Sequence, residues 1–441
     1  MRISVIGCGY LGAVHAASMA SLGHDVVGID VDADKVARLA AGTAPFYEPG
    51  LPELLAEVGS TGRLRFSTDM ADAAGAQVHF LCVGTPQKHG EFRADLSYVD
   101  AAFDALLPHV APGDVVAGKS TVPVGTAEAL AARLAPTGAT LVWNPEFLRE
   151  GFAVKDTLHP DRLVYGLPTD DEGNPTPDGE QAHAALDEVY ATPLAEGTPL
   201  VTTDYATAQL VKVAANSFLA TKISFINAMA ELCEATGADV TRLADAIGYD
   251  ARIGRRFLNA GLGFGGGCLP KDIRAFMARA GELGVDQALS FLREVDSINM
   301  RRRVRMVDLA REVCSGSIVG RRVAVLGAAF KPDSDDVRDS PALSVAAQMQ
   351  LQGAHVTVTD PQAVENARAK WPDLKYAATA LEAAQDADVV VLATEWAEYR
   401  DLVPEDLGAV VAQRAIVDGR NVLDPRAWRA AGFTYRALGR P

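Results

Sequence analysis

The chain has 441 residues, of which 49% are hydrophobic and 22% charged, with a formal net charge of −16. That is too long for one core and too apolar for wholesale disorder. The acidic balance excludes nucleic acid and anionic membrane as partners, because both are recognised by a basic footprint, whereas phosphate binding needs only a few local donors.

In chain order, Met1-Arg2 leads straight into the strand-like run Ile3–Ile6, so no targeting segment is expected. No run reaches the roughly 18 apolar residues of a membrane span. Further strands are predicted at Asp25–Ile29, Val78–Val83, Val115–Lys119, Thr140–Trp143 and Arg162–Tyr165, separated by helical stretches. Such short apolar runs fit a parallel sheet covered on both faces. Pro168–Gly179 is acidic and rich in Pro and Gly and reads as an exposed loop. From Thr203 to about Thr236, apolar residues recur at three- and four-residue spacing, as in a long helix stopped by Gly237, with Asp239 capping a short one to Gly248. A second long helix is predicted from about Asp286 to Val313, with Arg301, Arg302, Arg303 and Arg305 forming a solvated face. Strand–helix alternation resumes at Arg322–Leu326, His355–Thr359, Asp388–Ala393 and Ala415–Asp418. The expected fold class is α/β: two doubly wound Rossmann-like domains joined by a long-helix central region. The expected division is 1–200, 201–313 and 314–441.

Gly7-Cys8-Gly9-Tyr10-Leu11-Gly12 is a GxGxxG directly after a strand and opening a helix. Gly7 permits the turn, Gly9 lets the backbone approach a pyrophosphate, and Gly12 lets the helix pack on the sheet. Asp30, at the end of the second strand, is placed to accept bonds from both ribose hydroxyls and to repel a 2′-phosphate, so NAD is expected over NADP. Cys8 reads as a small filler. The second α/β domain opens on Val323–Leu326 and Gly327-Ala328-Ala329-Phe330 and lacks the later glycines, which suits a different nucleotide.

Three further constellations carry chemistry. Asn144-Pro145-Glu146-Phe147-Leu148-Arg149-Glu150-Gly151 follows a predicted strand, where ligands bind in doubly wound folds, and holds two carboxylates four apart. Lys212 and Asn216 share a helix face and read either as a snorkelling lysine or as paired donors to an oxyanion. Gly261-Leu262-Gly263-Phe264-Gly265-Gly266-Gly267-Cys268-Leu269-Pro270-Lys271-Asp272 has too many glycines for packing alone, and a backbone-wrapped ligand is expected. Cys268 stands at an expected helix start beside Lys271, and both favour a thiolate. The other cysteines (8, 82, 233 and 314) include no CxxC pair and read as reduced, buried thiols of a cytoplasmic protein. No metal is expected.

These motifs, with Ser120–Thr126 (STVPVGT) and Phe330–Pro341 (FKPDSDDVRDSP), together resemble the UDP-glucose/GDP-mannose dehydrogenase family over essentially the whole chain. Gly267 departs from a common Ser, and Asp339 from a common Glu. The resemblance implies a four-electron oxidation of a nucleotide-sugar C6 alcohol with two NAD. It implies catalytic roles for Cys268, Lys212, Asn216, Glu150, Thr121 and Asp272, with Val83, Thr85, Thr121, Lys35, Lys271 and Arg338 joining Gly7, Gly9, Tyr10, Leu11, Gly12 and Asp30 on the cofactor. On the nucleotide sugar it places Glu146, Phe147, Leu148, Glu150, Lys212, Asn216, Phe257, Leu258, Asn259, Gly261, Phe264, Gly265, Lys331 and Arg420. Arg252 resembles an arginine that reaches the substrate of a neighbouring subunit, and at least a homodimer is expected.

The Lys155–Arg162 and Thr394-Glu395-Trp396 stretches look more like the UDP-glucose branch than the GDP-mannose branch. A two-electron β-hydroxyacid dehydrogenase would have no use for Cys268 or a second α/β domain. A non-enzymatic nucleotide-sugar sensor would be expected to lose reacting groups, and none is missing.

Overall fold

The computed structural model describes residues 1–440. They divide into two compact units, Met1–Ala215 with Arg274–Leu283, and Asn216–Ile273 with the chain from Gly284 onward.

In the first unit the central strands are buried along nearly their whole length, because helices cover both faces of the sheet. The strands are β1 (Arg2–Ile6), β2 (Asp25–Ile29), β3 (Leu64–Ser67), β4 (Val78–Leu81), β5 (Val115–Gly118), β6 (Thr140–Trp143), β7 (Leu163–Leu167) and β8 (Leu200–Asp204). They form one sheet in the order β3-β2-β1-β4-β5-β6-β7-β8. All neighbours are parallel except β6 and β7, which meet antiparallel at Trp143 and Gly166. One core cluster gathers Val5, Val14, Met19, Phe80 and Tyr165, and another gathers Ile6, Leu81, Phe103, Leu130 and Trp143.

The second unit carries β9 (Arg322–Leu326), β10 (His355–Thr359), β11 (Lys375–Tyr376), β12 (Val389–Leu392), β13 (Ala415–Asp418) and β14 (Thr434–Ala437), ordered β11-β10-β9-β12-β13-β14. This is the same winding as the first six strands of the other sheet, so the fold class read from the pattern is present twice.

Four strands were not expected: β3, β8, β11 and β14. Their half-exposed patterns, such as exposed Thr434 and Arg436 alternating with buried Tyr435 and Ala437 in β14, lack the continuous apolar run of the inner strands. The long helix spans Tyr205–Thr236 and ends where Gly237 adopts φ +77°. Asp239 caps the Val240–Gly248 helix by accepting the Thr241 N–H. The second long helix spans Phe291–Val313, after a separate 3-10 turn at Asp286–Leu289. The Pro168–Gly179 loop is shorter than expected, because Thr176 caps a helix from Pro177 to Val189.

The solvated arginine face is corrected. Arg302 is 0% exposed and Arg303 is 3% exposed. Arg302 pairs with Glu234 at 2.9 Å and Arg303 with Asp339 at 2.9 Å. A buried guanidinium persists only with such partners, and only Arg301 of the four lies on the exposed surface. Among the described residues no helix is long and apolar enough to cross a membrane.

Candidate functional site

The glycine turn of the first unit is built as its residue types require. Gly7 has φ +88°, and a Cβ on Gly12 would lie 1.8 Å from the Gly7 carbonyl oxygen. A Cβ on Gly9 would meet nothing within 4 Å. That space lies at the start of the Tyr10–Ser21 helix, whose N-cap, Gly9, has no side chain to occupy the first-turn N–H groups. An anion is the natural partner there. Asp30 is buried and accepts the Cys8 N–H at 2.7 Å. It also accepts the Asp32 N–H at 3.0 Å and the Lys35 ammonium at 2.9 Å. The carboxylate therefore braces the turn as well as standing at the end of β2. Cys8 and Cys82 are buried, and burial pushes the Cys82 thiol up to about 12 and that of Cys8 further.

Beside this turn the strand-end loops are tied to one another. Thr85 Oγ1 donates to the Thr121 carbonyl at 2.8 Å, and Ser120 Oγ donates to that of Val83 at 2.7 Å. Gly151 donates its N–H to Tyr10 Oη at 2.8 Å and to Glu48 Oε2 at 2.7 Å. Glu48 Oε1 takes the Ala153 N–H at 2.7 Å. One buried carboxylate thus holds the backbone immediately after Glu150, itself a buried residue.

The other glutamate of that segment is differently placed. Glu146 Oε1 accepts the N–H groups of Phe147 and Leu148 at 2.7 and 3.0 Å. Its Oε2 lies 3.1 Å from Lys119 Nζ. Lys119 also donates to Asn144 Oδ1 at 3.0 Å and to Tyr190 Oη at 3.3 Å. Burial alone would raise the Glu146 pKa, but the Lys119 charge and the Phe147 N–H outweigh it and hold it below the usual carboxylate range. Burial would likewise lower Lys119, and Glu146 reverses the sign. The two glutamates are thus not an interchangeable pair. The Lys212 ammonium stands 5.5 Å from the centroid of the Phe147 ring, and the Arg162 guanidinium stacks on the same ring at 3.8 Å.

In the second unit, Cys268 is exposed and immediately precedes the Leu269–Glu282 helix, where its carbonyl accepts the Asp272 N–H at 3.0 Å. Asp272 is buried, with the Asn216 amide on Oδ2 at 2.7 Å and the Lys271 ammonium on Oδ1 at 2.7 Å. Asn216, Lys271 and Asp272 are therefore brought together at the helix start that Cys268 enters.

The glycines before Cys268 are closely packed by other parts of the second unit. Each makes room for protein. Added Cβ atoms would meet the Gly419 oxygen at 2.4 Å from Gly261, Asn299 Oδ1 at 2.1 Å from Gly263 and the Asp339 oxygen at 2.4 Å from Gly265. From Gly266 and Gly267 they would meet the Phe330 ring at 2.7 Å and the Arg338 guanidinium at 2.2 Å. Leu258 and Phe264 are core side chains, so only their backbone is available to a ligand. Phe257 has φ +67°, and Asn259 accepts from Arg255 at 2.8 Å. Arg420 donates to the carbonyls of Ala393 at 2.7 Å and Gly263 at 3.1 Å, and Lys331 lies over the Phe330 ring. Arg252 projects from an exposed turn and pairs with Asp250 at 2.6 Å.

The turn after β9 differs from its counterpart after β1. Asp360 Oδ2 accepts the N–H groups of Ala328 and Ala329 at 2.7 and 2.9 Å and the Trp396 indole N–H at 3.1 Å. The next helix begins only at Pro341, with Ser340 as its cap. The turn's donors are consumed internally, and the close approach open at Gly9 is absent.

Along its length the chain matches three descriptions of one family. They are the NAD binding domain of the UDP-glucose/GDP-mannose dehydrogenase family over residues 1–193, its central domain over 206–301 and its UDP binding domain over 324–425. The chain belongs to the UDP-glucose/GDP-mannose dehydrogenase family. It is 42% identical over 446 residues to a UDP-glucose 6-dehydrogenase of Rhizobium meliloti, covering all of both chains. It is 40% identical to the UDP-glucose 6-dehydrogenase TuaD of Bacillus subtilis, covering all of this chain and 93% of that one. A solved UDP-glucose dehydrogenase from Pyrobaculum islandicum superposes with a TM-score of 0.89 at 39% identity, covering 99% of this chain and 97% of that one.

The chain is accordingly an NAD-dependent oxidoreductase with a Rossmann NAD-binding domain, and the open space at Gly9 with the Asp30 carboxylate fits that cofactor. From sequence alone, no site role falls to Lys119, Glu48, Arg162, Asn299 or Asp360, and Arg303 falls only on a solvated face. A lysine ending an apolar strand, as Lys119 does after Val115–Gly118, was the one available signal, because such a residue needs a counter-charge.

Proposed function

We infer that the enzyme is a UDP-glucose 6-dehydrogenase, converting UDP-glucose and two NAD to UDP-glucuronate. The observation that carries this reading is the full-length likeness to dehydrogenases of that name, joined to an exposed Cys268 at a helix start beside Asn216 and Asp272.

Gly7, Gly9, Tyr10, Leu11, Gly12 and Asp30, with Lys35, Val83, Thr85, Thr121, Lys271 and Arg338, hold the cofactor. Bound NAD supplies the acceptor for each of the two hydrides leaving C6. Thr121 and Glu150 hold the water that takes the C6 hydroxyl proton. The resulting aldehyde has no carbon–hydrogen bond that can leave as hydride until it becomes tetrahedral. The Cys268 thiolate therefore adds to C6, and the thiohemiacetal is oxidised to a thioester. Water then attacks the thioester carbonyl, with Asp272 and Glu150 taking its proton, and the thiolate departs. Lys212 and Asn216 donate to the C6 oxygen whenever it carries negative charge, which is where fixed donors lower a barrier most. Glu146, Phe147, Leu148, Phe257, Leu258, Asn259, Gly261, Phe264, Gly265, Lys331 and Arg420 surround the nucleotide sugar, those with buried side chains through their backbone.

The reading includes a homodimer. Phe218, Phe225 and Leu232 recur every seven residues on the long helix and are 66%, 48% and 57% exposed. An apolar stripe of that spacing fits a second copy of the same helix, and Arg252 completes the partner's substrate site. Residues 1–200 serve the cofactor, 201–313 the Cys loop and dimerisation, and 314–441 the UDP group. Buried cysteine thiols support a cytoplasmic setting.

The test is NADH absorbance with UDP-glucose, GDP-mannose and UDP-N-acetylhexosamines. The expected result is the highest kcat/KM with UDP-glucose and two NADH per sugar. Preference for GDP-mannose would move the enzyme to the other branch of the family.

A further inference from the structure

The loop before Cys268 has five glycines in seven residues, Gly261 to Gly267, and so has little of its own to fix its path. Its conformation must be imposed from outside. Two side chains one turn apart on the Phe291–Val313 helix do this.

Asn299 is fully buried. Its Oδ1 accepts the Phe264 N–H at 2.8 Å, and its Nδ2 donates to the Phe264 carbonyl at 2.9 Å. One side chain thus pairs with both backbone groups of one residue, the service a neighbouring strand performs in a ladder. Arg303, 3% exposed, donates to the Phe264 and Asp339 carbonyls at 3.4 Å each and pairs with the Asp339 carboxylate at 2.9 Å. The segment that Arg303 holds then bears on the loop. The Asp339 carbonyl sits over Gly265, and the Arg338 carbonyl accepts the Gly266 N–H at 2.9 Å. Gly263, at φ +84°, exists as glycine because Asn299 Oδ1 occupies the space of its Cβ.

We propose that Asn299 and Arg303 are positioning residues for Cys268, fixing Phe264–Gly267 so that the thiol stands at the start of the Leu269–Glu282 helix. The inference rests on the reading of Cys268 as the nucleophile. Neither residue needs to touch substrate. A thiolate draws its stabilisation from a helix N-terminus only while it stays there, and misplacement of a reacting group by about 1 Å costs roughly 100-fold in rate.

The test uses the full-length enzyme with Asn299→Ala, Asn299→Asp and Arg303→Lys. Asn299→Asp keeps an acceptor for the Phe264 N–H and loses the donor to its carbonyl. Arg303→Lys keeps a cation for Asp339 but cannot span both carbonyls. kcat is expected to fall about 10- to 100-fold in Asn299→Ala and less in Asn299→Asp and Arg303→Lys, with the KM for NAD held within about threefold. Iodoacetamide alkylation of Cys268 at neutral pH, followed on the Cys268 peptide by mass spectrometry, should slow in the same order. A purely structural role would lower the melting temperature and leave the alkylation rate of the folded enzyme alone. If Asn299→Ala does not fold, the other two variants decide. Wild-type kcat and alkylation rates in folded Asn299→Asp and Arg303→Lys would overturn the proposal. The reading beneath it fails separately: acid formation by Cys268→Ala would remove the nucleophile, while altered alkylation in the Asn299 variants would still show the positioning.

Discussion

The Lys119 ammonium lies 3.1 Å from Glu146 Oε2, with only 3% and 16% of the two side chains exposed. The pair ties the end of β5 to the Asn144–Gly151 segment, and Asn144 and Tyr190 complete its hydrogen bonds. Lys119→Met should destabilise the protein by about 3–5 kcal/mol in urea melts, because it strands a buried carboxylate. Lys119→Met combined with Glu146→Gln should cost less than the single change. The pH dependence follows from the depressed Glu146 pKa. Its stabilisation is complete above the unfolded glutamate range, about pH 4.3, and is lost as pH falls through the lower folded value. Acid melts of Lys119→Met should lack that contribution, and a double variant no more stable than Lys119→Met would refute the coupling.

Cys268→Ala should abolish steady-state acid formation while NAD and UDP-sugar binding stay within about threefold, since the thiol is not needed to hold either ligand. Cys268→Ser should form acid slower by orders of magnitude, because a hydroxyl attacks and leaves poorly. Intact-mass spectrometry would look for the oxygen ester. One NADH per sugar in the wild type would return the enzyme to two-electron chemistry.

Asp30 takes the Cys8 N–H and the Lys35 ammonium, so its loss affects the turn as well as the ribose contact proposed for it. Asp30→Ala should raise the KM for NAD about tenfold, the value of one hydrogen bond to a charged group, and leave that for the sugar nearly unchanged. It also releases Lys35 toward a 2′-phosphate, so the ratio of NADP to NAD efficiency should rise. Steady-state kinetics with both cofactors measures this, and equal use of the two by the wild type would remove Asp30 from the ribose.

Glu48→Gln leaves one acceptor oxygen for the two N–H groups of Gly151 and Ala153. Stability should fall by about 1–3 kcal/mol, and kcat about tenfold or more as Glu150 shifts. Unchanged kcat in a folded variant would separate Glu48 from Glu150.

Phe218→Glu with Phe225→Glu should yield monomers in sedimentation and a large loss of activity, because in the proposed dimer the apolar stripe and Arg252 then lose their partner. A wild-type enzyme sedimenting as a fully active monomer would defeat the dimer.

The sequence by itself determined the inner strands, the long helices, the glycine turn with Asp30, and Cys268 at a helix start. Each is written in adjacent residues, either as an apolar period or as a residue type that only one backbone conformation demands. The edge strands β3, β8, β11 and β14 escaped because a strand covered on one side or at one end loses the continuous run that marks the others. Tertiary structure alone decided what faces what. Lys119 finds Glu146 across 27 positions, as Asn299 finds Phe264 across 35. The same holds for the glycines before Cys268, which stand against Asn299, Asp339, Phe330 and Arg338. It holds too for Arg302 and Arg303, expected in solvent and found buried on carboxylates. A period in the chain reports which face a residue occupies, whereas the partner that covers that face arrives from elsewhere in the chain and is fixed only when the core closes.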